Sequence, residues 1–149
     1  MSLRETLQND WKAAVKNRDK LKASVLSMAR SAVLLYEKSG ASKEATDDVV
    51  LEIIAKEIKQ RRETIEEFKN ANRTELVKET QDEIEILLNY LPQQLTEVEI
   101  KELIARVASE VGANSIKDMG KLMSAVVPKT KGRADGKLVS TLVKDFLNK

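Results

Sequence analysis

The sequence predicts an all-α protein, and three observations carry the prediction. Apolar residues recur at helical spacing along nearly the whole chain, with no alternating strand pattern in competition. Only five glycines and two prolines interrupt 149 residues, so there are few places where a helix must stop. Capping signals such as Ser2-x-x-Glu5 and Thr96-x-x-Glu99 stand where the periodic segments begin. A chain of this length forms one domain or two small ones and can bury a real core.

Ser2 opens a first helix to about Asn17, with the stripe Leu3, Leu7, Trp11, Ala14 and Val15. Asp19 caps a second, striped by Leu21, Val25, Met28, Ala32, Leu35 and Tyr36 and stopped by Gly40 at C′ in a left-handed conformation. Thr46 starts a third and longer helix to about Asn70, with Val50, Ile54, Ile58, Ile65 and Phe68 on one side. Arg61 occupies a place in that stripe where an apolar residue is due. Asn72-x-x-Glu75 opens a fourth helix carrying Leu76, Thr80, Ile84, Leu87, Leu88 and Leu91. The short link between the third and fourth makes them antiparallel neighbours.

Pro92 then breaks the chain and biases Leu91 away from helical angles. The boundary divides a four-helix N-terminal domain with a long antiparallel hairpin, residues 1–92, from a three-helix C-terminal domain, residues 93–149. In the latter, Thr96 starts a helix with Ile100, Leu103, Ile104, Val107 and Val111, closed by Gly112. Ser115 caps the next, with Ile116, Met119, Met123 and Val126, beside which Gly120 would permit close helix contact. A loop from Pro128 to Lys137 follows, and Asp135 caps a last helix with Leu138, Leu142, Val143 and Phe146.

Composition narrows the chemistry. The chain has no Cys and no His, which removes disulfides, thiolate nucleophiles, imidazole acid–base catalysis and the usual zinc sites. Asp, Glu, Lys and Ser chemistry stays open, but Ser124, Ser140 and Thr141 have no visible base, and a Ser-Lys pair with Lys121 or Lys137 is not selected by spacing. No run approaches the ~18 apolar residues of a membrane span. The start does not have the form of a signal peptide, so a cytoplasmic protein without a membrane partner is expected. The net charge of +2 is unevenly spread: residues 1–40 carry eight bases and four acids, residues 41–95 eight and thirteen, residues 96–149 ten and seven. The acidic middle should repel a polyanion and the C-terminal part could meet one.

The loop is the segment with the clearest chemistry. Gly132 and Gly136 admit close backbone approach, and Lys129, Lys131, Arg133 and Lys137 supply charge, with Lys121 upstream. The helix start at Asp135 adds N–H groups and a positive dipole end. These are the requirements of phosphate contact. The same residues also suit a solvated basic loop whose glycines turn the chain. The loop is not a Walker A motif, because no Gly-Lys-Ser/Thr closes it. Arg61 has Glu79 and Glu83 on the adjacent helix as partners for a structural ion pair, since a guanidinium in a helical core must be paired or reach water. Glu79, Asp82, Glu83 and Glu85 spread over several faces of one helix and read as a solvated surface. They do not read as a metal site, and neither a metal nor another cofactor is expected.

The chain resembles the YqeY-like family over essentially its full length. The resemblance lies in Gln60-Arg61-Arg62-Glu63 with Phe68, Asn72-Arg73-Thr74-Glu75-Leu76, Tyr90-Leu91-Pro92-x-Gln94-Leu95, Asp118-Met119-Gly120-Lys121-Leu122-Met123 and Lys131-Gly132-Arg133-Ala134-Asp135-Gly136. The C-terminal part is also similar to the tail domain of the B subunit of the aspartyl/glutamyl-tRNA amidotransferase, a tRNA-binding appendage. That resemblance implies RNA contact at Lys121, Lys129, Lys131, Gly132 and Arg133. Where the tail tends to have Asn-Pro after its alanine, this chain has Asp135-Gly136, which suits a helix cap. The family term, carbon–nitrogen ligase with glutamine as amido-N-donor, belongs to an enzyme whose catalytic cradle this chain lacks. The reading is therefore a non-catalytic tRNA- or RNA-binding module, or an amidotransferase accessory. The alternative is a protein–protein adaptor built on the acidic helical hairpin.

Overall fold

The caps read from the sequence start most helices of the computed structural model, which describes residues 1–40 and 44–148. Among the described residues seven α-helices form: α1 Leu3–Lys16, α2 Lys20–Lys38, α3 Asp47–Asn70, α4 Thr74–Leu88, α5 Glu97–Val111, α6 Met119–Thr130 and α7 Gly136–Leu147. The capping boxes predicted at Ser2 and Thr96 are made: Ser2 Oγ accepts from Glu5 N–H at 3.1 Å, and Thr96 Oγ1 from Glu99 N–H at 3.1 Å. Asp19, Thr46 and Asp135 cap α2, α3 and α7 through their side chains. Each such cap contributes about 0.5–2 kcal/mol. Gly112 closes α5 at φ 72°, the left-handed region where glycine has no Cβ penalty.

Some local expectations fail for identifiable reasons. Asn72 does not start α4. It takes φ 58° and ends α3, with Arg73 N–H returning to Phe68 O at 2.9 Å; asparagine tolerates this conformation. Arg73 becomes the N-cap of α4 and makes no side-chain cap bond. Gly40 is not left-handed, and α2 ends on an extended Ser39. The predicted sixth helix begins later than Ser115: a 3₁₀ turn, Ile116–Asp118, precedes α6. Pro128 lies inside α6, in its last turn, so the loop begins only at Lys131. Val126 and Thr130, both buried, hold the helix down on either side of the proline, and this packing outweighs its local cost. A Cβ placed on Gly120 would meet nothing within 4 Å, so that glycine marks no close helix contact.

The chain forms two compact units, Met1–Leu91 and Pro92–Lys149. In the first, α3 and α4 pair antiparallel and α1 pairs with α2. Its core holds Leu7, Leu26, Ile54, Ile58 and Leu87. The face of α2 that it buries is Val25, Leu26, Ala29 and Val33; Met28 and Leu35, predicted inward, are 53% and 73% exposed. The helix is apolar on more than one side, so its periodicity does not choose which side packs. Val15 of α1 is likewise exposed. Charged contacts bind the ends of the unit. Arg4 makes a two-pronged pair with Glu37 at 2.6 and 2.9 Å, Ala45 N–H donates to the same carboxylate at 2.7 Å, and Leu3 N–H donates to Asp47 at 2.8 Å. The Arg4 hydrogen bond, helped by Ala45, holds the Glu37 carboxyl below its ordinary range. Tyr90 O–H donates to Asp10 at 2.6 Å; burial, then the Asp10 carboxylate, pushes its hydroxyl well above the usual phenol range.

The second unit packs α5, α6 and α7 on one another around Ile100, Ile104, Leu122, Val126, Val139 and Val143. Leu138 and Ile116, predicted inward, stay exposed, while Leu122 and Val139 fill the core in their place.

Candidate functional site

The α6–α7 turn, Lys131 to Asp135, is held from beneath by the segment that follows Pro92. Leu95 N–H donates to Arg133 O at 2.8 Å and Gln94 Nε2 to Gly132 O at 2.9 Å. In return Arg133 Nε donates to Gln93 O at 3.2 Å. Three hydrogen bonds thus clamp the Gln93–Leu95 strand of chain to the turn. Within the turn Gly132 sits at φ 77°, a conformation that strains any residue with a side chain, and a Cβ there would face open space. Arg133 N–H and Ala134 N–H both return to Thr130 O, closing the end of α6.

The structure places Lys129, Lys131, Gly132 and Arg133 around this one turn. Lys129 and Lys131 are exposed, while Gly132 and Arg133 are half-buried. Lys137 stands in the first turn of α7, beyond Asp135, whose carboxylate accepts from Lys137 N–H at 3.2 Å. The anion-attracting end of α7 is therefore served by the protein's own acid. Lys121 is apart from the others. It sits in the first turn of α6, about 12 Å along the helix axis from Lys129 at 1.5 Å per residue. Its nearest charge partner there is Asp118, whose carboxyl is held low by the N–H groups of Asn114 and Ser115 and then by Lys121.

Sequence reasoning missed what faces the turn. A cleft of about 330 Å³ runs between α5 and the end of α6, lined by Leu95, Glu99, Glu102, Leu103, Arg106, Lys129 and Arg133. Its walls carry three cations and two carboxylates. Glu99 is held below its ordinary range by the N–H and hydroxyl of Thr96, with Arg133 adding to the effect. The signal for this wall was present: Glu99, Glu102, Leu103 and Arg106 recur at spacings that share one side of a helix.

Arg61 is 7% exposed and paired twice, Nη1 to Glu57 at 2.8 Å and Nε to Glu83 at 3.2 Å, with Nη2 against Met28 Sδ at 3.5 Å. Glu57, one turn back on α3, takes the place expected for Glu79, which is exposed. Asp82 and Glu85 are exposed too, while Glu83 turns inward to Arg61. Among the described residues no group of three or more Asp, Glu, His or Cys side chains is placed to hold a metal ion.

The Yqey-like protein family model matches residues 4–147. This chain belongs to the YqeY-like family. It is 31% identical over 144 residues to "Altered inheritance of mitochondria protein 41, mitochondrial" of Pyrenophora tritici-repentis, covering 95% of this chain and 78% of that one. The protein of the same name from Lachancea thermotolerans is 27% identical over 150 residues, covering 96% and 80%. An uncharacterized protein of Schizosaccharomyces pombe is 34% identical over 86 residues, covering 57% and 68%. The family match spans both units, so the Gln94–Leu95 clamp and the turn it holds lie within it. Among the described residues no helix is long and apolar enough to cross a membrane.

Proposed function

We propose that this YqeY-like protein is a non-catalytic RNA-binding module, whose C-terminal unit contacts the phosphate backbone of tRNA through the α6–α7 turn. The observation that carries the reading is the turn itself: exposed Lys129 and Lys131 lead into Gly132, where a Cβ would face open space. The clamp from Gln94 and Leu95 supports it, because a pre-ordered turn loses less entropy on binding than a free loop. Two or three phosphate contacts give weak, salt-dependent and sequence-tolerant binding. Lys121 lies too far along α6 to share a phosphate with Lys129, so it is a separate contact. The biochemical setting favoured by the tail-domain resemblance is an accessory role beside a glutamine-dependent tRNA amidotransferase, in the cytoplasm.

The direct test is tRNA binding at two salt concentrations, by the wild type and by Lys129→Ala/Lys131→Ala. Arg133 is left intact because its guanidinium holds Gln93. Weaker binding and a shallower salt dependence in the variant support the site; equal binding removes it. Transamidation rates with and without the protein test the accessory role, and unchanged rates argue against it. Fractionation of the tagged protein tests the compartment, since the fungal relatives are named as mitochondrial.

A second reading, a protein–protein adaptor using the acidic α3–α4 hairpin, is favoured by exposed apolar residues in the same unit. Leu35 is 73% exposed and Met28 53%. A monomer by light scattering, together with a pulldown that recovers no partner, would remove it.

A further inference from the structure

The turn between α1 and α2 carries more unpaired positive charge than the turn assigned above. Residues 12 to 22 hold Lys12, Lys16, Arg18, Lys20 and Lys22 against one acid, Asp19. Lys12, Lys16, Arg18 and Lys20 are exposed and Lys22 is half-buried. Among the described residues none of the five makes an ion pair. The single acid is engaged: Asp19 accepts from Lys22 N–H at 3.2 Å as the cap of α2.

Several acids of the unit are engaged away from this turn. Arg4 and Glu37 join the start of α1 to the end of α2, so the α1–α2 turn lies at the opposite end of that helix pair, about 18 Å along α1 by helical rise. Asp10 accepts from Tyr90, and Glu57 and Glu83 serve Arg61. The charge placement also opposes local stability. α2 begins with Lys20 and Lys22 and no acid in its first turn, at the positive end of the helix dipole. Arg18 holds φ 58°, a conformation arginine seldom takes. Cations gathered there gain from an external anion what they lack inside the fold.

From this cluster we infer that the α1–α2 turn is a second RNA-binding surface, contacting backbone phosphates through Lys16, Arg18 and Lys20 with Lys12 one turn behind. It goes beyond the proposed function by placing a contact on the other unit, and rests on that reading only in taking RNA as the polyanion. The chemistry is backbone contact without base readout. The aromatic ring closest in sequence, Trp11, lies half-buried under Arg30, whose guanidinium is 4.5 Å from the ring centre, so it offers no stacking platform. A lipid surface is less well matched: Val15 is the one large exposed apolar side chain of the turn, and interfacial binding draws on Trp, Phe and Leu.

The test uses the full chain and unfractionated tRNA over a series of salt concentrations. One variant is Lys16→Ala/Arg18→Asn/Lys20→Ala, with Asn chosen to keep the left-handed turn; the other is Lys129→Ala/Lys131→Ala. Helix content and melting temperature are checked first, and Lys16→Gln/Lys20→Gln replaces the triple variant if it has lost structure. The turn variant is expected to bind about tenfold more weakly at low salt, and the slope of log K against log salt to fall by about 2 to 3. If it binds as the wild type does, the inference is overturned, whatever the other variant does. If it weakens while Lys129→Ala/Lys131→Ala does not, the inference stands and the α6–α7 site falls. If the wild type ignores tRNA but sediments with vesicles of phosphatidylcholine and phosphatidylserine, the surface is lipid-directed and the RNA assignment is wrong. If the wild type binds neither, both sites are rejected.

Discussion

The two units solve the same packing problem with different materials. The N-terminal unit is tied by charge: Arg61 is 7% exposed between Glu57 and Glu83, Arg4 grips Glu37, and Tyr90 reaches Asp10. The C-terminal unit has an apolar core, and among the described residues its one buried polar side chain, Thr130, bonds back to its own helix at Val126 O. Its other polar bonds lie at the rim, in caps and in the clamp on the α6–α7 turn. Each unit is therefore vulnerable in its own way. Loss of one ionic partner strands a charge in the first unit, whereas loss of volume leaves a void in the second. Trp11, the only tryptophan, belongs to the first unit, so its fluorescence follows that unit alone while circular dichroism follows both.

The largest effect is expected from Arg61→Ala. It leaves Glu57 and Glu83 unpaired at 15% and 23% exposure and should destabilise the first unit by about 3–5 kcal/mol. Denaturation followed by Trp11 should show the loss, with Arg61→Met/Glu83→Gln partly restoring it. A variant as stable as the wild type would mean that the pair contributes nothing. Next is Leu122→Ala, fully buried in the second unit, at about 3 kcal/mol from lost burial and the cavity left behind. The loss should appear in circular dichroism and leave the Trp11 transition in place; a shift in both would erase the contrast between the units.

Glu37→Gln removes a charge-assisted bond worth about 2 kcal/mol and tests the ionic tie of the first unit through pH. Because the folded carboxyl is held below its unfolded value of 4.5, its contribution is present above that pH. It is lost as pH falls through the lowered folded value. The wild-type Trp11 transition should therefore weaken on acidification below about pH 4.5, and the variant should respond less. Identical acid profiles would contradict this. The smallest change is Gly132→Ala, about 1–2 kcal/mol from forcing a side chain into the left-handed region, confined to the second unit and measured by circular dichroism.

The two basic turns differ in the same spirit. Around α6–α7, Arg133 is engaged by Gln93, and Glu99 and Glu102 share the cleft wall with the cations. At α1–α2 the one acid of the turn, Asp19, caps α2, and among the described residues none of the cations makes an ion pair. The sequence draws the eye to the first turn because two glycines mark it, yet it is the second that leaves its charge without internal partners.

What the chain order alone carries is local. The all-α class, most helix starts, the two capping boxes and the break at Pro92 follow from interactions within four or five residues. Much of the buried side of α3 does too, including the place of Arg61, because Val50, Ile54, Ile58 and Ile65 recur at helical spacing around it. Where the pattern is ambiguous, tertiary packing decides. α2 has more than one apolar side, and contact with α1, α3 and α4 selects Val25, Leu26, Ala29 and Val33 over Met28 and Leu35. Pro128 stays helical because Val126 and Thr130 are anchored in the core. The clamp joins Gln94 to Gly132 across 38 positions, and Arg61 finds Glu83 across 22. Pairings of that range depend on how helices dock, and no local period encodes them.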